Sequence, residues 1–163
     1  QVKTIGFSTL ALFPMFLLFF HSVRLSLLVI IPNFIASMLV LGVMGLAGIP
    51  LDVMTITIVA IVVGIAVDNT MHYIHRFQEE FAKDRDYRKT MFRCHGSVGH
   101  AMLYATLTNA TGFCILALSN FIPTILFGAL TAFALAVALL MAMTLLPLLI
   151  IHIQPFGPEG MDG

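Results

Sequence analysis

LDVMTITIVAIVVGIAVDNTMH, residues 51–72, is a nearly continuous apolar run of the length that crosses a membrane as one helix. Asp68 interrupts this run. An ionised carboxylate at the centre of such a helix costs about 2.5 to 3.5 kcal/mol on insertion scales, and acids kept there commonly handle protons or ions. We therefore expect Asp68 to be a functional residue that is buried among packed helices and changes its protonation.

The composition predicts an integral membrane protein. Of the 163 residues, 60% are hydrophobic and only 10% are charged, and the mean hydropathy is +1.02. Soluble domains average about 45 to 50% apolar and about 25% charged residues. The chain starts at Gln1 without a signal peptide, so we expect it to be part of a longer protein.

Five stretches are apolar over a length that approaches or reaches the roughly 20 residues of a membrane-spanning helix. They cover residues 5–20, 25–46, 53–73, 101–121 and 125–151. Short breaks that contain Gly or Pro separate the second span from the third and the fourth from the fifth. The sequence therefore predicts an all-α membrane protein with a five-helix transmembrane bundle over residues 1–153.

Most charged side chains fall within residues 76–100, which predicts a loop outside the membrane. Lys and Arg concentrate on the cytoplasmic side of membrane proteins, so we expect this loop and the tail, residues 154–163, in the cytoplasm. The aromatic residues of the loop fit either an amphipathic helix on the membrane surface or a solvated connector whose aromatic residues only anchor at the interface. Cys94 and Cys114 are expected to be free thiols.

A polar stripe runs along the third predicted span. Gly64, Asp68, His72 and His75 follow one another at steps of four, four and three residues, so they share one helix face. This stripe predicts a proton path from the acid to imidazoles near water. The alternative is that the two histidines only mark the end of the span at the membrane interface. Asn69 and Thr70 are candidate local partners of the acid.

The fourth predicted span is unusually polar for a helix that faces lipid. Its polar and small residues are Thr106, Thr108, Asn109, Thr111 and Gly112. We expect them to face protein and to present hydroxyl or amide groups to Asp68, with glycines allowing close helix packing. The alternative is that they serve only as contacts between helices.

Other kinds of site are less well supported. Asp68, His72 and His75 have metal-ligand spacing, but a zinc site normally needs further ligands. An aspartyl protease needs a second buried acid, and Asp52 lies at a turn. We therefore expect no metal, no cofactor and no enzymatic activity.

Five motifs of the chain resemble those of the resistance-nodulation-division superfamily, in particular its MMPL-like branch of hydrophobe exporters, which is related to sterol-sensing domains. The motifs are GIPLD at 48–52 with GIAVDNTMH at 64–72, TLTNATGF at 106–113, FGALT at 127–131 and LLP at 145–147. Many relatives have Tyr where Asn69 stands and a further acid where Ala142 stands. The resemblance implies one five-helix block, half of a twelve-span architecture, and the short tail after the fifth span suggests the C-terminal half.

The resemblance also implies a function. It suggests the membrane domain of an exporter of lipids or other hydrophobic molecules that is driven by the proton-motive force. Its proton relay would comprise Asp68, Asn69, His72, Thr108 and Asn109, with Gly64 and Gly112 in helix packing. The expected partners are membrane lipids, a hydrophobic substrate, protons, the other half of the transporter and a second copy of the protein, but no nucleic acid. The expected location is a bacterial inner membrane. The alternative is a sterol- or lipid-sensing module without transport.

Overall fold

The computed structural model describes residues 23–49 and 53–157, which are almost entirely helical and contain no strand. The helices are α1 (Val23–Leu46), α2 (Val53–Asp84), α3 (Tyr87–Cys94), α4 (His100–Leu116) and α5 (Ile122–Ile153). A π-helical turn, His95–Gly99, joins α3 to α4 without a break. The prediction of an all-α membrane protein is confirmed.

Three helical segments are long and apolar enough to cross a membrane: Val23–Leu46, Thr55–Asp84 and Ile122–Ile153. They correspond to the second, third and fifth predicted spans. The fourth predicted span is α4, which has 17 residues and ends at Leu116 rather than near residue 121. The first predicted span, residues 5–20, lies outside the described residues, so the described part of the bundle has four of the five predicted spans.

Helix α5 lies at the centre and packs against α1, α2 and α4. Its buried face carries small side chains one turn apart, Ala134, Ala138 and Ala142. Small residues let helix backbones approach closely, which favours helix association in a membrane, where no hydrophobic effect acts between helices. The core on this face is completed by apolar residues of α1 and α2, among them Val40 and Val62.

Residues 76–100 are almost entirely helical, and their place on the cytoplasmic side of the membrane stays a prediction. Helix α2 continues to Asp84, α3 begins at Tyr87, and only Arg85 and Asp86 between them are not helical. Arg85 has a positive φ of 50°, and Asp86 caps α3 by accepting a hydrogen bond from the backbone N–H of Lys89 at 3.0 Å. At 1.5 Å per residue, a helix of 32 residues is about 48 Å long, which exceeds the roughly 30 Å of a hydrocarbon core. The charged end of α2 therefore extends beyond the apolar layer.

Aromatic packing explains why the polar stretch folds into a helical hairpin. Phe77 and Phe81 lie one turn apart on α2, and the ring of Phe81 is 4.3 Å from that of Tyr87 on α3. Phe156 packs on Phe77 at 5.7 Å, and the Tyr87 hydroxyl donates to the Gly157 carbonyl at 2.9 Å. The rings of Phe77, Phe81 and Tyr87 are buried, so they pack against protein rather than against lipid or solvent.

Ion pairs hold the same hairpin together. The Glu80 side chain is 4% exposed, and its carboxylate lies 2.9 Å from Arg76, 2.7 Å from Lys83 and 3.0 Å from Arg93. Arg93 on α3 also donates to both carboxylate oxygens of Asp84, each at 2.8 Å. Pairing with several cations offsets the desolvation of a buried carboxylate. These pairs therefore join α3 to the charged end of α2.

The two cysteines are both free, as expected, but they differ in environment: Cys94 is buried and Cys114 is exposed. Burial, reinforced by the Glu80 carboxylate, raises the pKa of the Cys94 thiol to about 11. Since the thiolate is the reactive form, only roughly one Cys94 in a thousand is reactive at pH 8.

We predict that N-ethylmaleimide at pH 8 modifies Cys114 much faster than Cys94 in the folded protein. Peptide mapping by mass spectrometry after timed labelling measures both rates, with Cys114 as the internal control. Labelling of Cys94 should accelerate as the pH approaches 11 and on unfolding in denaturant. Equal rates at pH 8 would contradict the buried position of Cys94.

Candidate functional site

Asp68 lies on an outward face of α2 and pairs with His72 one turn away. The Asp68 Oδ1 atom is 3.4 Å from His72 Nε2, and both side chains are 70% exposed. The prediction that Asp68 is buried is therefore wrong for the described part of the chain. The reason is the helical phase: α2 buries the face that carries Val62, Ala66 and Tyr73, which leaves Asp68 outside.

The polar stripe predicted from the sequence is present and continues toward the charged end of α2. His75 Nδ1 lies 3.5 Å from Glu79 Oε1, and Arg76 Nη1 lies 3.0 Å from Glu79 Oε2. The distance along the helix from Asp68 to Glu79 is about 16 Å at 1.5 Å per residue. The stripe therefore places titratable groups at intervals of about one turn.

A shallow groove separates this stripe from the helix that follows the π-helical turn. From α2 it is lined by Asp68, Asn69, His72, His75, Arg76 and Glu79, and from the turn and α4 by Val98, Ala101, Met102 and Ala105. One wall is thus polar and titratable, and the other consists of small and apolar side chains. Asn69 lies at the base of the groove, with 8% of its surface exposed.

Thr70 does not serve as a local partner of Asp68. It points toward α1, donates to the Ala66 carbonyl at 2.7 Å and lies 3.5 Å from Asn33 Nδ2. Asn33 in turn donates to the Val29 carbonyl at 2.8 Å. Asn33 is not among the site residues predicted from the sequence, although an amide in the middle of an apolar span is a recognisable signal of a polar contact between helices.

The polar residues of α4 do not reach Asp68. Thr108 is exposed and donates to the Tyr104 carbonyl of its own helix at 2.9 Å, and Asn109 is exposed as well. Thr106 is buried, and its hydroxyl has no hydrogen-bond partner among the described residues. Thr108 lies on the same face of α4 as Ala101 and Ala105, which border the groove. It extends that face in the direction away from the charged end of α2.

Gly64 and Gly112 do not pack against any described helix. Apart from the backbone of its own helix, the described chain places no atom within 4 Å of the position that a Cβ would take at either glycine. Gly128 on α5 makes the close contact instead, since a Cβ there would lie 2.4 Å from the Phe113 carbonyl oxygen. Both predicted packing glycines therefore lie on open faces, one beside Asp68 on α2 and one on the Thr108 face of α4.

Within residues 23–49 and 53–157, no three His, Cys, Asp or Glu side chains converge in a way that could hold a metal ion. Asp68 and His72 approach each other, but His75 is turned toward Glu79. The described chain thus offers a titratable stripe beside a groove and two open faces with small residues.

Comparison with known proteins agrees with the five motifs. The profile of the MMPL family matches residues 1–159, nearly the whole chain. The chain belongs to the MMPL family. This confirms the resemblance drawn from the motifs around Asp68 and on α4. No solved structure matches the chain.

Membrane protein MJ1562 of Methanocaldococcus jannaschii is a relative of this MMPL chain. The two are 30% identical over 143 residues, which cover 85% of this chain and 37% of the relative. The chain thus spans a little over a third of the length of that relative. Together with the three long apolar helices, the MMPL match establishes a multi-pass membrane protein.

Proposed function

We propose that this chain is part of the membrane domain of an exporter of lipids or other hydrophobic molecules, and that protons moving through Asp68 drive it. The observation that supports this most directly is the position of Asp68. It is an exposed acid on a helix long and apolar enough to span a membrane, with an imidazole as its partner at 3.4 Å. Export rather than catalysis is the activity that such a site suits.

The exposure of Asp68 points to a partner that covers it. Facing lipid, an ionised carboxylate would cost about 2.5 to 3.5 kcal/mol near the centre of a span. The same face of α2 carries Ala60 and Gly64, both exposed, and small residues are typical of helix–helix contacts in membranes. We propose that the other half of the transporter packs here, with Gly64 and Gly112 at the contact. The other candidate that could cover this face of α2 is a second copy of the protein.

The proton relay that we propose follows the stripe. Asp68 takes up the proton, and His72, whose Nε2 atom lies 3.4 Å from the Asp68 carboxylate, accepts or returns it. Beyond His72, the charged end of α2 extends past the apolar layer, so the relay that we propose does not require Glu79. Asn69, which lines the same groove, would supply a hydrogen-bond donor to the ionised acid, whereas Thr108 and Asn109 do not reach it within the described chain. The orientation that we propose puts the charged hairpin in the cytoplasm and the protein in a bacterial inner membrane.

Transport by the full-length protein in liposomes tests this proposal. A fluorescent phospholipid reports movement of a hydrophobic substrate, and an imposed pH gradient supplies the driving force. We expect lipid movement that requires the gradient and stops when a protonophore collapses it. Gradient-independent movement would contradict proton coupling. Saturable lipid binding without movement would favour the sensing module instead.

A further inference from the structure

Pro147 lies inside α5 and is buried. Proline has no backbone N–H, so it cannot donate to the carbonyl four residues earlier, which is that of Met143. Within a helix that packs at the centre of the bundle, a carbonyl left without a donor is costly, because water is not available to replace the hydrogen bond. The Met143 oxygen therefore needs a donor from another part of the chain.

His95 supplies that donor. Its Nε2 atom lies 2.9 Å from the Met143 carbonyl oxygen, across the gap between the π-helical turn and α5. Gly99, in the same turn, packs so closely that a Cβ there would lie 2.8 Å from the Met143 Cε atom. The π-helical turn therefore sits directly against the turn of α5 that Pro147 leaves incomplete.

We propose that His95 replaces the hydrogen bond that Pro147 removes, and so fastens the continuous α3–α4 helix to α5 at its proline. A proline inside a helix is a common site of bending. The His95 bond thus couples any bending of α5 at Pro147 to the position of α4, which borders the Asp68 groove. This inference does not rest on the proposed function, since it concerns only how the helices are joined.

The other ring nitrogen of His95 also has partners. Nδ1 lies 3.2 Å from the Tyr73 hydroxyl and 3.0 Å from the Met91 carbonyl oxygen. With the ring proton on Nε2, Nδ1 accepts a hydrogen bond from the Tyr73 hydroxyl. A carbonyl oxygen can only accept, so this tautomer is the one in which Nε2 donates to Met143.

A double-mutant cycle on the full-length protein in detergent tests this joint. The variants are H95A, H95Q, P147A and the double variant H95A/P147A, and the measurement is the melting temperature. We expect H95A to lower it by roughly 3 to 8 °C. H95Q should retain most of the stability, because the Gln amide places an N–H donor near the Nε2 position.

Measuring the effect of H95A in the P147A background distinguishes loss of the hydrogen bond between His95 and Met143 from loss of packing around the His95 ring. Alanine at position 147 returns a backbone N–H to the Met143 carbonyl, so loss of His95 should cost less than half as much there as in the native background. An equal loss in both backgrounds, no loss in H95A, or an H95Q variant as unstable as H95A would each overturn the proposal. If H95A does not fold, recovery of folding in H95A/P147A supports the proposal, and failure of both variants contradicts it.

Discussion

Asp68→Asn in the full-length protein is expected to reduce gradient-driven lipid movement to the level of protein-free liposomes. Asparagine has nearly the same shape and polarity as aspartate, but its amide cannot take up and release a proton in the physiological range. The fold should be preserved, because Asp68 is exposed in the described chain and its pair with His72 joins residues of one helix.

Glu79→Gln is the matched control for this variant. Glu79 is an acid of the same stripe and is also exposed, but it lies at the charged end of α2, where water and other acids are close. We expect Glu79→Gln to retain most of the transport activity and Asp68→Glu to retain more than Asp68→Asn. Normal gradient-driven transport by Asp68→Asn, in protein that elutes as wild type in size-exclusion chromatography, would contradict the proton-relay role.

Gly128→Ala is expected to produce the largest loss of stability of any single methyl addition at a glycine of the described chain. The new Cβ would lie 2.4 Å from the Phe113 carbonyl oxygen, 2.8 Å from Leu116 Cβ and 3.2 Å from the Ala117 backbone nitrogen. Two of these neighbours are backbone atoms, so the steric clash can be relieved only if α4 and α5 move apart. Overpacking of this kind costs about 1 to 3 kcal/mol, and we expect the upper end, a fall in melting temperature of roughly 6 °C or more.

Gly42→Ala provides the control for the intrinsic effect of replacing glycine by alanine. Gly42 is exposed on α1, and apart from its own helical backbone the described chain has no atom within 4 Å of its Cβ position. Alanine favours a helix over glycine by about 1 kcal/mol, so this variant should be neutral or slightly stabilised. Similar melting temperatures for the two variants would show that α4 and α5 pack less closely than the Gly128 contacts require.

The positions of the spans could be predicted because they depend on local composition. Apolar length alone located α1 and α5 to within a few residues, and the Gly–Ile–Pro break correctly marked the end of α1, where Gly48 has a φ of +66°. The stripe of Asp68, His72 and His75 was likewise predictable, because helical periodicity fixes which residues share a face. The charged hairpin was not predicted, because its helices depend on contacts with Phe156 and Arg93 that are distant in sequence.

The sequence by itself determined that this is an all-α membrane protein, where its long apolar helices lie, and that Asp68 and His72 are one turn apart on one of them. Only the tertiary structure decided which face of each helix is buried, because that depends on how α5 packs against its neighbours. For this reason Asp68 and Gly64 lie on an open face and Gly128 lies at a close contact. Tertiary packing also brought His95 to the carbonyl that Pro147 leaves without a donor, since His95 and Met143 are 48 positions apart in sequence.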